Sequence, residues 1–332
     1  MKTANLSKLA FLFFILIFSS RSKGSIVWNT LPDLVHKAPA IVTGKISMQD
    51  EKVVLIVENI LKGRKQDQIT IYCMKWPSYE AAPPRFTDGE KVLLFLFVPE
   101  PPFSELDRLM GIHEVHEGEM YLFGLGDQGK WPRIYPKRPK GNEYYRHYPR
   151  LQDNASLEAI QDVVEKFLKI EDSNDLVKRV NLCAEYIKSE NNLLKLTALQ
   201  YAGQSLLWEV PDGKSFSRSS EEISLMKKSF INGIHDEFMK LTDSNEPSLL
   251  AESIRYLKYA QPGEALPVLI RNITNEDRDI RTNTSSALFQ LAGELKITGD
   301  FVKYNSTEPM ENLAAIQKQW NDWWEENKVK FE

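Results

Sequence analysis

Three stretches of the chain carry side chains that could do chemistry. His113-x-x-His116-x-x-Glu119 spaces two imidazoles and a carboxylate by threes. On a helix that spacing puts them on one face, which would suit a metal ion. It lacks the HExxH arrangement, in which a general base sits between two ligating histidines. The stretch is short and lies among strand-like runs, so an exposed polar loop is expected. A metal-dependent hydrolase using His113 and His116 is the enzymatic alternative. Gly124-x-Gly126-x-x-Gly129 matches the dinucleotide fingerprint in letters. That fingerprint works where a helix begins and offers its N–H groups to a pyrophosphate. Here Lys130-Trp131-Pro132 follows without helical periodicity, so a strand-end turn is expected.

The third stretch runs from Lys130 to Arg150. Lys130, Arg133, Lys137, Arg138, Lys140, Arg146 and Arg150 stand against one acid, Glu143, with Trp131, Tyr135, Tyr144, Tyr145 and Tyr148 among them. Charge plus stacking could hold a single strand, an acidic glycan or an anionic lipid surface. Its prolines exclude helix and central strand. The stretch reads as a solvated connector packed on its neighbours. A glycan-binding module using Trp131, Tyr144, Tyr145 and Tyr148 is its functional alternative. No GxSxG elbow and no SxxK pair occurs. Asp277 and Asp279 lie in a polar turn, and Glu221-Glu222 opens a helix, where the dipole favours acids. No cofactor is expected, and the chain reads as non-enzymatic.

The N-terminus reads as a signal peptide. Lys2 and Lys8 precede Leu9–Phe18, an unbroken apolar run, and Ser22 and Gly24 fit the small-residue positions before a cleavage at Ser25. The run is about half of the roughly 20 residues a spanning helix needs. A secreted or periplasmic protein with no membrane span after cleavage is expected. Cleavage would take the net charge from −4 to −8 by removing Lys2, Lys8, Arg21 and Lys23. Residues 25–150 carry a net +1 and residues 151–332 a net −9. An acidic second half argues against nucleic acid as partner, because phosphate binding draws on clustered Lys and Arg. Two cysteines, Cys73 and Cys183, make no disulfide framework.

The first half has strand character. Runs at Ala40–Met48, Lys52–Leu61, Ile69–Cys73, Val92–Val98 and Met120–Leu125 are rich in β-formers, after a short helix at Leu31–Lys37. Gly44 marks a bulge or bend, while Lys62-Gly63 and Asp88-Gly89 mark turns. Val92–Val98 is apolar on both faces and hence central. Ile41-Val42-Thr43-Gly44-Lys45, Leu61-Lys62-Gly63, Phe86-Thr87-Asp88-Gly89-Glu90-Lys91 and Leu93-Leu94-Phe95-Leu96 follow in an order that resembles the OB-like β-barrel of exported bacterial proteins, over roughly residues 28–135.

From Asn154 the apolar period becomes helical. Leu157, Ile160, Val163, Val164 and Phe167 recur at threes and fours, as do Leu176, Val180, Cys183 and Ile187. A helix over Leu193–Leu207 follows, then helices at about 220–242, 246–260, 264–274 and 278–295, with Pro247 and Pro267 in first turns. A shift of 31 residues lays Leu249, Ser253, Leu257 and Ala260 on Ile280, Thr284, Leu288 and Leu291, and Phe238-Met239 on Leu269-Ile270. Such units must stack to bury their apolar faces. Leu266-Pro267-x-Leu269-Ile270, the Asn275-Glu276-Asp277 turn, Ile280-Arg281 and Ala287-Leu288 resemble HEAT-like helical repeats. The last helix, Glu311–Lys328, places Leu313, Ile316, Trp320 and Trp323 or Trp324 on one stripe and is expected to cap the array.

The expected chain is thus multi-domain, α and β: a signal peptide over 1–24, an OB-like β-barrel over 25–135, a basic aromatic linker over 136–153, and a HEAT-like α-helical repeat domain over 154–332. The expected role is protein–protein binding or scaffolding through the helical surface, with Arg255, Lys258, Arg271, Arg278 and Arg281 as contact residues. Asn154, Asn272, Asn283 and Asn305 begin N-x-S/T sequons, which matter only where exported chains are glycosylated.

Overall fold

A computed structural model describes residues 30–49, 52–72, 86–98, 119–122, 130–131, 155–202, 220–257, 260–302 and 304–331. Helix α1 (Leu31–Lys37) opens the described chain. Thr30 caps it through a reciprocal capping box: its backbone N–H donates to Asp33 Oδ2 at 2.9 Å, and its hydroxyl accepts from Asp33 N–H. Lys62 closes the other end, its Nζ donating to the carbonyls of Val35 and His36 at 2.8 and 3.0 Å.

Strands β1 (Ala40–Gln49), β2 (Lys52–Lys62), β3 (Gln68–Tyr72) and β4 (Lys91–Phe97) form an antiparallel sheet in the order β3-β2-β1-β4. Two short strands complete the pairings. β5 (Glu119–Leu122) runs parallel to β3 over three residue pairs and antiparallel to β4 over two. β6 (Lys130–Trp131) adds to β4. The β1–β2 register slips between Thr43 and Gly44. Glycine is required at that slip, because a Cβ on Gly44 would lie 2.2 Å from the Ile56 carbonyl oxygen.

Alternation along the strands serves two cores. Val42 and Ile46 of β1, Leu55 of β2, Ile69 and Ile71 of β3, and Val92, Leu94 and Leu96 of β4 pack together on one face. Ile41, Leu93 and Phe95 point the other way, into a core shared with α1 and the helices that follow. That double duty is why the β4 run is apolar at every position. Lys130 departs from the expected solvated connector: it is 1% exposed, and its Nζ lies 2.7 Å from Glu90 Oε1. Pairing of β6 with β4 carries the ammonium into the protein, where Glu90 and the face of Phe86 receive it.

The helical part contains α2 (Leu157–Glu171), α3 (Leu176–Ile187), α4 (Asn192–Tyr201), α5 (Ser220–Leu241), α6 (Pro247–Tyr256), α7 (Pro262–Arg271), α8 (Arg278–Glu294) and α9 (Met310–Asn327). Ser156, Asp175, Asn191, Glu246 and Asp277 cap α2, α3, α4, α6 and α8 with side-chain oxygens. α1 packs on α2 and α4, so the sheet and the helices are joined by apolar contact. α4 is buried on all sides from Leu193 to Tyr201.

The 31-residue shift has a structural counterpart. It carries the Glu246 cap onto the Asp277 cap and the first residue of α6, Pro247, onto that of α8, Arg278. Ser253 and Thr284, equivalent under the shift, are both 0% exposed, and the two helices pack on each other. α7 begins earlier than its periodicity predicts. Pro262 occupies the first turn and Pro267 lies inside the helix, where its ring nitrogen gives no bond to the Gly263 carbonyl.

α9 closes the array against α7. Trp320 is fully buried, meets Phe301 edge-on, and donates Nε1–H to the Phe301 carbonyl at 3.1 Å. Gln317 Nε2 donates to the Ile270 and Arg271 carbonyls at 2.8 and 3.2 Å, satisfying the C-terminal end of α7.

A candidate docking groove across three helices

α4 packs on α6, and α6 packs on α8. A concavity of about 200 Å3 runs across the three. Helical spacing determines what lines it. Leu196 and Gln200 come from α4, four apart; Ser248, Ala251, Glu252 and Arg255 form an i, i+3, i+4, i+7 stripe on α6; Asp279, Thr282 and Asn283 repeat the first part of that stripe on α8. Leu249 and Ser253 of α6 and its C-cap Leu257 are buried, so this stripe fixes the helix while the polar one faces the groove.

The polar groups are partly tied down. Asn283 Nδ2 donates to the Ala251 carbonyl at 2.8 Å, joining α8 to α6. Arg255 Nη1 donates to both carboxylate oxygens of Glu252 at 3.1 Å, and the Glu252 charge pushes the guanidinium pKa up. Thr282 donates to the Arg278 carbonyl at 2.9 Å and meets the Ser306 hydroxyl at 2.9 Å. Asp277 Oδ1 accepts from the N–H groups of Asp279 and Ile280 at 2.7 and 3.4 Å. Burial, with the Asp279 charge beside it, nonetheless pushes the Asp277 carboxyl above its ordinary range. The lining thus holds three carboxylates, Glu252, Asp277 and Asp279, and one guanidinium, that of Arg255, already paired with Glu252, while the Arg281 charge acts on Asp277 from outside the lining. The groove is net acidic and favours a cationic ligand group.

Of the arginines singled out by sequence, Arg255 reaches this groove. Arg271, at the end of α7, donates to the Thr242 carbonyl at 3.1 Å and to Asp243 Oδ1 at 2.7 Å, holding the turn after α5. Arg281 donates to the carbonyls of Asn275, Glu276 and Ser306 at 2.7, 2.9 and 3.0 Å. Arg278 is the exposed first residue of α8. Lys258, Tyr144, Tyr145, Tyr148, His113 and His116 lie outside the described residues, as does the side chain of Trp131, whose backbone pairs with Leu93. Among the described residues no group of three or more His, Cys, Asp and Glu side chains is placed to hold a metal ion. Cys183 is fully buried, and burial pushes its thiol pKa up, away from nucleophilic use.

Sequence reasoning missed Glu252, Asp279, Ser248 and Thr282 as groove residues. The legible signal was the polar stripe from Ser248 to Arg255, set opposite the apolar one. The chain matches no protein-family model, no curated protein and no solved structure. Among the described residues no helix is long and apolar enough to cross a membrane.

Proposed function

We propose that the chain is an exported, non-enzymatic binding or scaffold protein, and that a protein partner docks across α4, α6 and α8. The observation that carries this reading is a polar groove built from three successively packed helices. Stacked helix pairs of this kind offer an extended surface, whereas a catalytic pocket is enclosed and mostly apolar. The helical part is read as a HEAT-like array, supported by the 31-residue correspondence of caps and buried residues between α6 and α8. The sheet is read as a partly open, OB-like barrel, supported by the antiparallel order β3-β2-β1-β4 and by the short strand β5, which pairs parallel with β3 and antiparallel with β4. Export is supported by the apolar run Leu9–Phe18 and the small residues after it.

The acidic lining selects the partner's chemistry: an extended segment presenting Lys or Arg side chains to Glu252 and Asp279. The test is capture of partners from a periplasmic or extracellular extract by the wild-type chain and by two variants, Asp279→Lys and Ala251→Arg. Each places a cation in the groove. A protein retained by the wild type and lost by both variants, with unchanged thermal melts, is the expected result. Retention by both variants would overturn the groove as the docking surface.

A further inference from the structure

We propose that Asn305 is an N-glycan acceptor, the one described sequon whose amide can carry a glycan without loss of the fold. The proposal rests on the export reading, since N-oligosaccharyl transfer takes place on exported chains.

Three of the sequons fall among the described residues, and their amides differ. Asn272 is 4% exposed. Its Nδ2 donates to the Val268 carbonyl at 2.9 Å, and its Oδ1 accepts from Asn275 Nδ2 at 3.0 Å. Asn283 Nδ2 is committed to the Ala251 carbonyl at 2.8 Å, the bond that joins α8 to α6 on the groove. A sugar on either nitrogen leaves one N–H but has to fit beside the carbonyl the amide now meets, where the helices are packed together.

Asn305 is exposed, in the turn that leads into α9. Its Oδ1 accepts from both the N–H and the hydroxyl of Thr307, at 3.0 and 2.8 Å. The third residue of the sequon is therefore bonded to the acceptor amide, and both bonds fall on its oxygen. Among the described residues Asn305 Nδ2 makes no hydrogen bond. The turn itself is anchored: Tyr304 is buried, Ser285 donates to its carbonyl at 2.9 Å, and Arg281 donates to the Ser306 carbonyl at 3.0 Å. A glycan here stands beside the groove, next to the Ser306 hydroxyl that meets Thr282.

The donor is an oligosaccharide carried on a polyprenyl diphosphate, and the catalyst is the oligosaccharyltransferase of the export compartment. A bond forms between Asn305 Nδ2 and the anomeric carbon. The bond from that carbon to the diphosphate oxygen breaks, and its electron pair leaves with the lipid diphosphate. One amide proton passes to the enzyme's base.

The experiment expresses the full chain in a secretory host that has this transferase. One arm keeps residues 1–24; the other replaces them with a signal sequence already shown to work in that host. Glycan positions are mapped on the secreted, folded protein by amidase release in heavy-oxygen water. Expected are occupancy at Asn305, its loss in Asn305→Gln and in Thr307→Val, and unmodified Asn272 and Asn283. An unoccupied Asn305 in the arm with the proven signal overturns the proposal, as does a glycan on Asn272 or Asn283 in folded protein. Occupancy of Asn305 only in that arm upholds the site and overturns the export reading instead.

Discussion

Arg281→Met separates an arginine that binds a partner from one that holds the fold. The Arg281 guanidinium donates to three backbone carbonyls, on Asn275, Glu276 and Ser306, and so ties the turn before α8 to the turn before α9. A hydrogen bond from a charged group contributes about 1.5–3 kcal/mol when its partner is buried. Glu276 is exposed, and Asn275 and Ser306 are half-buried, so water takes over part of each bond in the variant. Counting each at about 1 kcal/mol gives a loss of roughly 2–3 kcal/mol. Arg255→Met is the control. Its bond is to Glu252 three residues back on the same helix, and its side chain is 50% exposed, so about 0–0.5 kcal/mol is expected. Urea unfolding followed by helical circular dichroism measures both. The reasoning is refuted if Arg281→Met costs no more than Arg255→Met, or if Arg281→Met abolishes partner capture with its unfolding midpoint unchanged.

Two further outcomes follow from buried polar groups. Thr284 is 0% exposed, and its hydroxyl has no hydrogen-bond partner among the described residues, so Thr284→Val, which keeps the shape, should gain about 1 kcal/mol. A lower melting temperature in that variant would show the hydroxyl to be bonded. Asp277 and Asp33 should respond to pH with opposite signs. The Asp277 carboxyl is raised by burial and by Asp279, so its contribution is full below the ordinary carboxylate value of about 4 and is lost as pH rises through the raised folded value. Asp277→Asn keeps the cap and should stabilise at pH 7, with the gain vanishing in acid. Burial pulls Asp33 up as well, but its Thr30 hydrogen bonds and Lys37 outweigh that and hold it low, so Asp33→Asn should destabilise at pH 7, and the loss should shrink as pH falls below about 4 and through the lowered folded value. Thermal melts of both variants at pH 3.5 and 7, in about 0.1 M salt, would show either sign reversed if the causes are wrong.

What was legible in the sequence is what depends on neighbours a few residues away. The period of Leu157 to Phe167 and the turns at Gly63 and Gly89 are local, and the structure keeps them. The start of α7 was not local. Pro262 and Pro267 both suit a first turn, and the choice goes with packing at Gly263, where a Cβ would lie 2.9 Å from the carbonyl of Phe331 at the far end of the chain. The groove was hidden for the same reason, because Gln200, Arg255 and Asp279 meet only once three helices have stacked. The arginines are instructive in another way. Arg281 stands four residues after the Asp277 cap and Arg179 four after the Asp175 cap. Arg179 also spends itself on the preceding turn, donating to the Ser173 and Glu171 carbonyls at 2.6 and 3.0 Å. Lys195, four after the Asn191 cap, pairs with Glu237 at 2.7 Å instead, because it has a carboxylate in reach on α5. A cation one turn into a capped helix is thus better read as a clamp on its surroundings than as a free contact.

The shared core sets how the docking reading has to be tested. Leu31, Leu34, Val35, Ile41, Leu93 and Phe95 all precede residue 100, are at most 1% exposed, and belong to the same core as the helices. Burying such a side chain stabilises by about 1.5–3 kcal/mol. Cutting the chain between β6 and α2 would uncover part of these side chains on one piece and their partners on α2 and α4 on the other. Even half of that burial, for six side chains, comes to roughly 4–9 kcal/mol, comparable with the whole net stability of a folded protein, about 5–15 kcal/mol. The contact also includes His36 Nδ1 at 2.8 Å from Glu171 Oε2, across the same boundary. α4 supplies one wall of the groove and also packs on α1, so truncation on the N-terminal side would disturb the groove through the helix that lines it. Loss of partner capture by an isolated helical fragment would therefore report on folding. Point variants on the exposed rim, with Asp279 the most accessible of its acids, isolate the contact itself.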